Sequence, residues 1–303
     1  MKPHLFAEPR PLDLKPSAEP LAQALDIQHD TDPAHDHGPA RRIPHLGHAL
    51  LFFSLTLFFL SLSLTLIWAA FHIRTDEAAR AHPGIALAAQ ALAYALTLAA
   101  SFWLFPRLWS RSFLHGIQWN VLAARRRWLT LLPAAMLLAV AALYAQQFVH
   151  VPDTSPLDDL MQSARSAWLT VAFGVLLAPL TEEIAFRGFL LPALATAYDW
   201  LALERTPAGL ERWRNSSLHS TAAVCFAAIF SSVPFALLHA GQLSHAWGLI
   251  AILYAVSLAL SLVRIRTHSV ACSTLVHATY NATIFALSLL PDGLLHHLDK
   301  LSR

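Results

Sequence analysis

The sequence predicts an all-α chain, a polytopic transmembrane helix bundle of seven or eight spans. Of its 303 residues 56% are hydrophobic and only 13% charged, and the mean hydropathy is +0.48. Several apolar runs also reach the roughly 18 to 20 residues that cross a hydrocarbon core of about 30 Å. Lipid offers backbone groups no water, so each of these runs must be helical.

Residues 1–43 differ from the rest. They are rich in Pro, Asp and His, end on Arg41 and Arg42, and read as a disordered tail. The first apolar run begins too late and is too long for a cleavable signal peptide, so the first span is expected to stay as an anchor. His29, Asp30, Asp32, His35, Asp36 and His37 have no fixed ligand spacing, which favours a solvated segment over a metal site. Residues 44–166 form an N-terminal group with spans near 46–73, 83–105 and 129–149. Residues 167–290 form a second group with spans near 167–191, 218–238, 246–263 and 270–290, and residues 291–303 are a short tail. The stretch 167–203 exceeds one simple span. A bend at Gly188 or Pro192 would make residues 190–203 the eighth.

Charge sets orientation and excludes some classes. Arg41 and Arg42 precede the first span, and Arg107, Arg111, Arg125, Arg126 and Arg127 fall between the second and third. Asp153, Asp158 and Asp159 outweigh Arg165 in the next connection. The tail and the Arg-rich segment are therefore expected on the cytoplasmic side. A net charge of +2 with scattered Arg residues speaks against a nucleic-acid partner. Cys225 and Cys272 both fall in spans and make neither a disulfide framework nor a zinc spacing. There is no Gly-rich phosphate loop, Gly-x-Ser-x-Gly elbow or His-Glu-x-x-His pair. Only three of the 21 basic residues are Lys, while Ala and Leu abound. That points to a GC-rich bacterium and its inner membrane.

Polar groups inside the later spans carry the functional signal, because a charge at the centre of a bilayer helix costs roughly 2.5 to 3.5 kcal/mol on the insertion scale. Glu183 and Arg187 stand one helical turn apart on one face and can pair. Glu182 points about 100° away. The two carboxylates are thus not expected to serve one site, and Glu182 is left free to act as a general base. Phe235 and His239 are also four residues apart, beside Pro234, which weakens the helix locally. His277 and Asn281 share a face two turns into the last span and offer N–H donors for an oxyanion. The plainer account is an interfacial ion pair beyond Leu180 and an interfacial His239.

Taken in order on separate apolar helices, Glu-Glu-x-x-x-Arg, Phe-x-x-x-His and His-x-x-x-Asn resemble the signature of the type II CAAX prenyl proteases and their bacterial relatives, the CPBP intramembrane proteases. The resemblance covers about residues 167–290. It implies an intramembrane endopeptidase in which Glu182 activates water, His239 helps to hold that water, and His277 and Asn281 stabilise the oxyanion. Glu183, Arg187 and Phe235 would support the site. The substrate would be a peptide or membrane protein, with or without a lipid anchor. The eukaryotic branch removes a tripeptide after a prenylated cysteine, whereas bacterial relatives are linked to peptide maturation, secretion and self-immunity. No cofactor is expected. Two His and a Glu would also suit zinc with an open fourth position, but Glu182 does not readily serve as both ligand and base, and Asn281 is a poor zinc ligand. Two other classes compete: a non-catalytic scaffold or immunity protein, and a transporter with a Glu/His/Asn relay. A transporter should show paired broken helices, and only the Gly188/Pro192 interruption is present.

One expectation conflicts with that chemistry. Counted from residue 218, His239 lies about 30 Å along its helix, near the opposite face from Glu182, although catalysis needs the two together. A later helix start near Val224, a tilt, or a chain reversal after Glu182 would reconcile them.

Overall fold

A computed structural model describes residues 42–75, 83–152 and 164–288. Seven helices among them are long and apolar enough to cross a membrane: α1 (Leu46–Ala70), α2 (Pro83–Trp109), α4 (Val121–Gln146), α5 (Ser166–Leu201), α7 (Thr221–Leu238), α8 (Trp247–Thr267) and α9 (Val270–Ser288). Two short helices, α3 (Phe113–Gly116) and α6 (Pro207–Asn215), lie in connections. There is no strand among the described residues. Leu57, Phe58, Trp103, Leu137 and Trp168 are largely exposed, which suits an exterior solvated by lipid rather than water. The chain is an all-α integral membrane protein. The tail up to residue 41, its His/Asp cluster, Asp153, Asp158, Asp159 and residues 291–303 lie outside the described residues.

Residues 190–203 are not an eighth span. They continue α5, which runs unbroken for 36 residues, about 54 Å at 1.5 Å per residue. Two wide π-helical stretches, Phe173–Leu177 and Ile184–Leu190, interrupt its α geometry, and Pro179 and Pro192 follow them. In an α-helix the proline ring collides with the carbonyl four residues earlier, here that of Val175 or Gly188. Both carbonyls lie in a π stretch, where the wider turn relieves the collision. The prolines therefore widen α5 on either side of Ala178–Glu183 without reversing it.

The end of α5 is tied to the start of α7. Asp199 accepts hydrogen bonds from the hydroxyl of Ser220 at 2.6 Å and from its N–H at 3.3 Å, and Ser220 is the N-cap of α7. The same carboxylate lies 3.0 Å from His219 Nδ1 and 3.7 Å from Arg42. Arg42 donates to the Ser216 carbonyl at 2.6 Å and lies over the Trp213 ring, so the residues leading into α1 join the same clamp. Burial holds the His219 imidazole below its ordinary pKa, with Asp199 opposing.

Helix alternation sets Arg107, Arg111, Arg125, Arg126, Arg127, Arg264 and Arg266 at this same end. Among the described residues Arg74 and Arg165 are the basic positions at the opposite end. Arg107 belongs to the last turn of α2, and Arg125, Arg126 and Arg127 to the first turns of α4, not to a loop as the sequence suggests. Long basic side chains reach water from helix ends, so the helices outrun the apolar window. Across this end the α3–α4 connection grips the α8–α9 turn: Val270 N–H donates to the Gln118 carbonyl at 3.1 Å and the Ser269 hydroxyl to that of Asn120 at 2.9 Å. Arg264 donates to the Gln118 side chain.

Replacing Asp199 with Ala is expected to cost about 2 kcal/mol, the scale of hydrogen bonds to a charged group. Thermal unfolding in detergent would show it. Glu204→Ala, which removes only an exposed partner 3.5 Å from Arg212, should cost well under about 1 kcal/mol.

Candidate active site

The short α segment Ala178–Glu183 between the two π stretches presents both glutamates to the bundle interior. Glu183 has no exposed surface. Its Oε1 accepts from Arg187 Nη1 at 2.9 Å and lies 3.0 Å from His277 Nδ1. Arg187 is equally enclosed, and its Nη2 donates to the carbonyl and the hydroxyl oxygen of Ser257, each at 2.7 Å. The guanidinium also sits 4.7 Å from the centre of the Phe235 ring. Buried charges persist only when such partners replace water. Three spans, α5, α8 and α9, supply them here. Phe235 completes the support, edge-on to Phe186 at 5.2 Å and to His277 at 5.7 Å.

The two glutamates, not expected to serve one site, meet at a single imidazole. His277 Nε2 lies 3.8 Å from Glu182 Oε2 while its Nδ1 faces Glu183. The side chains do leave α5 in different directions, but the imidazole arrives from α9 between them with its nitrogens on opposite edges. The carboxylates differ in exposure: the Glu182 side chain keeps 17% of its surface and Glu183 none.

His239 ends α7 as its C-cap, with Nδ1 2.8 Å from the Phe235 carbonyl oxygen. Its ring centre is 5.1 Å from that of Phe235 and His277 is 5.7 Å from the same ring, so the two imidazole centres are within about 11 Å of each other. The depth conflict disappears when both helices are measured from the Asp199–Ser220 clamp. Glu182 lies about 25 Å back along α5 and His239 about 28 Å down α7 at 1.5 Å per residue. The helix does start later than residue 218, at Thr221, but the larger reason is that α5 overshoots the apolar window at its C-terminal end. The contact between Phe186 and Phe235 fixes the same register.

Asn281 is one turn beyond His277, and its Nδ2 donates to the Gly174 carbonyl at 2.7 Å. One of its two N–H groups is thus committed to the first π stretch. Sequence reasoning missed this acceptor and Ser257. A signal for Ser257 was available: Ser257, Ser261 and Arg264 form a stripe at i, i+4 and i+7 of an otherwise apolar span, and all three are buried.

Among the described residues no group of three or more His, Cys, Asp or Glu is placed to hold a metal. Glu183 and the Nδ1 edge of His277 face each other, Arg187 stands against the same carboxylate, and His239 and His277 both contact the Phe235 ring.

The family model described as Type II CAAX prenyl endopeptidase Rce1-like matches residues 164–283. No curated protein and no solved structure matches the chain. The matched segment runs from the start of α5 into α9 and contains Glu182, Glu183, Arg187, Phe235, His239, His277 and Asn281. Residues 164–283 therefore form a domain of the Rce1-like type II CAAX prenyl endopeptidase family.

Proposed function

We propose that this chain is an intramembrane endopeptidase in which Glu182 activates the attacking water. The observation that carries the reading is the sharing of His277 by a fully buried carboxylate and a partly exposed one. Glu183 already holds two donors and serves as a fixed anion, whereas Glu182 can meet water. It takes a proton from that water as the oxygen adds to the scissile carbonyl carbon. His239 helps to hold the water from the α7 side. His277, fixed at Nδ1 by Glu183, directs Nε2 to the reacting groups. In its cationic form it donates to the oxyanion; with Glu182 by then protonated, the charges of Glu183, Arg187, His277 and the oxyanion sum to zero. Asn281 offers its second N–H. The carbon–nitrogen bond breaks as the leaving nitrogen takes the proton from Glu182.

The substrate class follows from the family: a peptide or protein bound at the membrane, with a CAAX-type end as the first candidate. The clustering of arginines at the clamp end puts that end in the cytoplasm by the positive-inside rule, and with it the N-terminus. The composition favours a bacterial inner membrane. Zinc takes no part in this reading.

In purified, detergent-solubilised protein, Glu182→Gln, His239→Ala and His277→Ala are each expected to abolish cleavage while the protein stays folded. The assay uses quenched fluorescent peptides ending in a Cys and three further residues, with and without an S-farnesyl group. Full activity in any of the three variants overturns the residue assignment. Cleavage should persist in chelator, and loss restored by added zinc would sink the metal-free mechanism. Arg187→Met, which strands Glu183 in the interior, should cost about 3 to 5 kcal/mol in thermal unfolding, while Glu182→Gln should melt close to wild type.

A further inference from the structure

The oxyanion in the proposed reaction has few donors. His277 Nδ1 faces Glu183, and one Asn281 N–H is held by the Gly174 carbonyl. A further donor stands on α2, outside the segment that the family model matches. Helix α2 packs against both the Phe173–Leu177 stretch and the Ala178–Glu183 segment of α5. On its half-buried face Tyr94 stacks on Phe173 with ring centres 5.7 Å apart. Phe173 is the neighbour of Gly174, so Tyr94 and Asn281 reach the same π stretch from different helices. Gln90, one turn earlier, donates Nε2–H to the Tyr94 hydroxyl oxygen at 3.2 Å. That bond occupies the oxygen as acceptor and leaves its hydrogen to be donated elsewhere. The Ala178–Glu183 segment against which α2 packs is the one that carries Glu182.

We propose that Tyr94 is a further catalytic residue, a hydrogen-bond donor to the carbonyl oxygen that becomes negative when the Glu182-activated water attacks. The inference rests on the peptidase reading above. The hydroxyl keeps its proton; it stabilises charge and transfers nothing. Gln90 is a positioning residue that aims it. The geometry also explains why a span outside the matched segment carries a tyrosine and a glutamine one turn apart on a face turned to α5.

The test compares wild type, Tyr94→Phe, Gln90→Leu and Glu182→Gln on the same quenched peptides. Tyr94→Phe removes one oxygen and preserves the ring stack. It is expected to lower kcat about 100-fold, the cost of losing one oxyanion donor, with KM and the pH profile of kcat unchanged. Gln90→Leu should lower kcat by a smaller factor, also without a change in KM. An unchanged kcat in Tyr94→Phe overturns the proposal, as does a rise in KM alone. A fall in kcat accompanied by a shifted pH profile also overturns it, because Tyr94 would then be tuning Glu182 and not the oxyanion. The two readings fail separately. If wild type cleaves and Glu182→Gln does not, the peptidase reading stands whatever Tyr94→Phe shows. A wild-type protein that cleaves neither peptide removes both.

Discussion

An arginine with no exposed surface, in the middle of a membrane helix, must find all its acceptors within the protein. Arg187 Nη1 finds one on Glu183 of its own helix and Nη2 finds two, the carbonyl and hydroxyl of Ser257 on α8, while its Nε has no partner, and Glu183 in turn holds His277 of α9. Any displacement of one of these helices leaves a buried charge without a partner, an error of several kcal/mol. Apolar side chains in lipid cannot impose such a penalty, since lipid tails solvate them as well as neighbouring helices do. The relative positions of α5, α8 and α9 thus depend on this one ion pair. Phe235, lying against both the guanidinium and the imidazole, brings α7 into the same arrangement.

The π stretches belong to the same logic. Each precedes a proline, so they have a local cause in the chain. Their effect is larger than local. A wide turn shifts the angular phase of every later side chain and loosens the backbone around its carbonyls. The Gly174 carbonyl accepts from Asn281 in the first π stretch. In the second, Arg187 lies on a fully buried stretch of backbone, still one turn from Glu183. The short regular segment between the two stretches carries the pair of glutamates.

The spans were legible because a 56% hydrophobic composition organised into long runs has few physical solutions in lipid. The candidate-site residues stood out because Glu182, Glu183, Arg187, His277 and Asn281 are expensive where they stand. Three things were hidden, each for a reason. Hydropathy reports that a run is apolar, not how far a helix overshoots the apolar layer, so the depth of His239 relative to Glu182 could not be counted from one helix alone. Helical periodicity relates neighbours on a helix, but not two side chains that converge on a third from another helix; hence the meeting of Glu182 and Glu183 at His277 was missed. A serine in an apolar span is cheap, so Ser257 gave little signal by itself, although its stripe with Ser261 and Arg264 was available.

In the proposed mechanism the difference between adjacent glutamates distinguishes the base from the fixed anion. A general base must be able to change its protonation state at small cost, and must touch water to do so. Glu183 meets neither condition. Protonating it would leave the Arg187 guanidinium without its counter-charge, and Arg187 and His277 facing a neutral, weaker acceptor. Glu182 has a looser relation to the cluster, 3.8 Å from His277 Nε2, and keeps some exposed surface. Neutralising it breaks no short bond. The same imidazole thus sees a carboxylate that cannot change on one edge and a carboxylate that can on the other. In the proposed mechanism that asymmetry gives a proton a direction to move in, which a symmetric pair of buried acids or a plain ion pair would not.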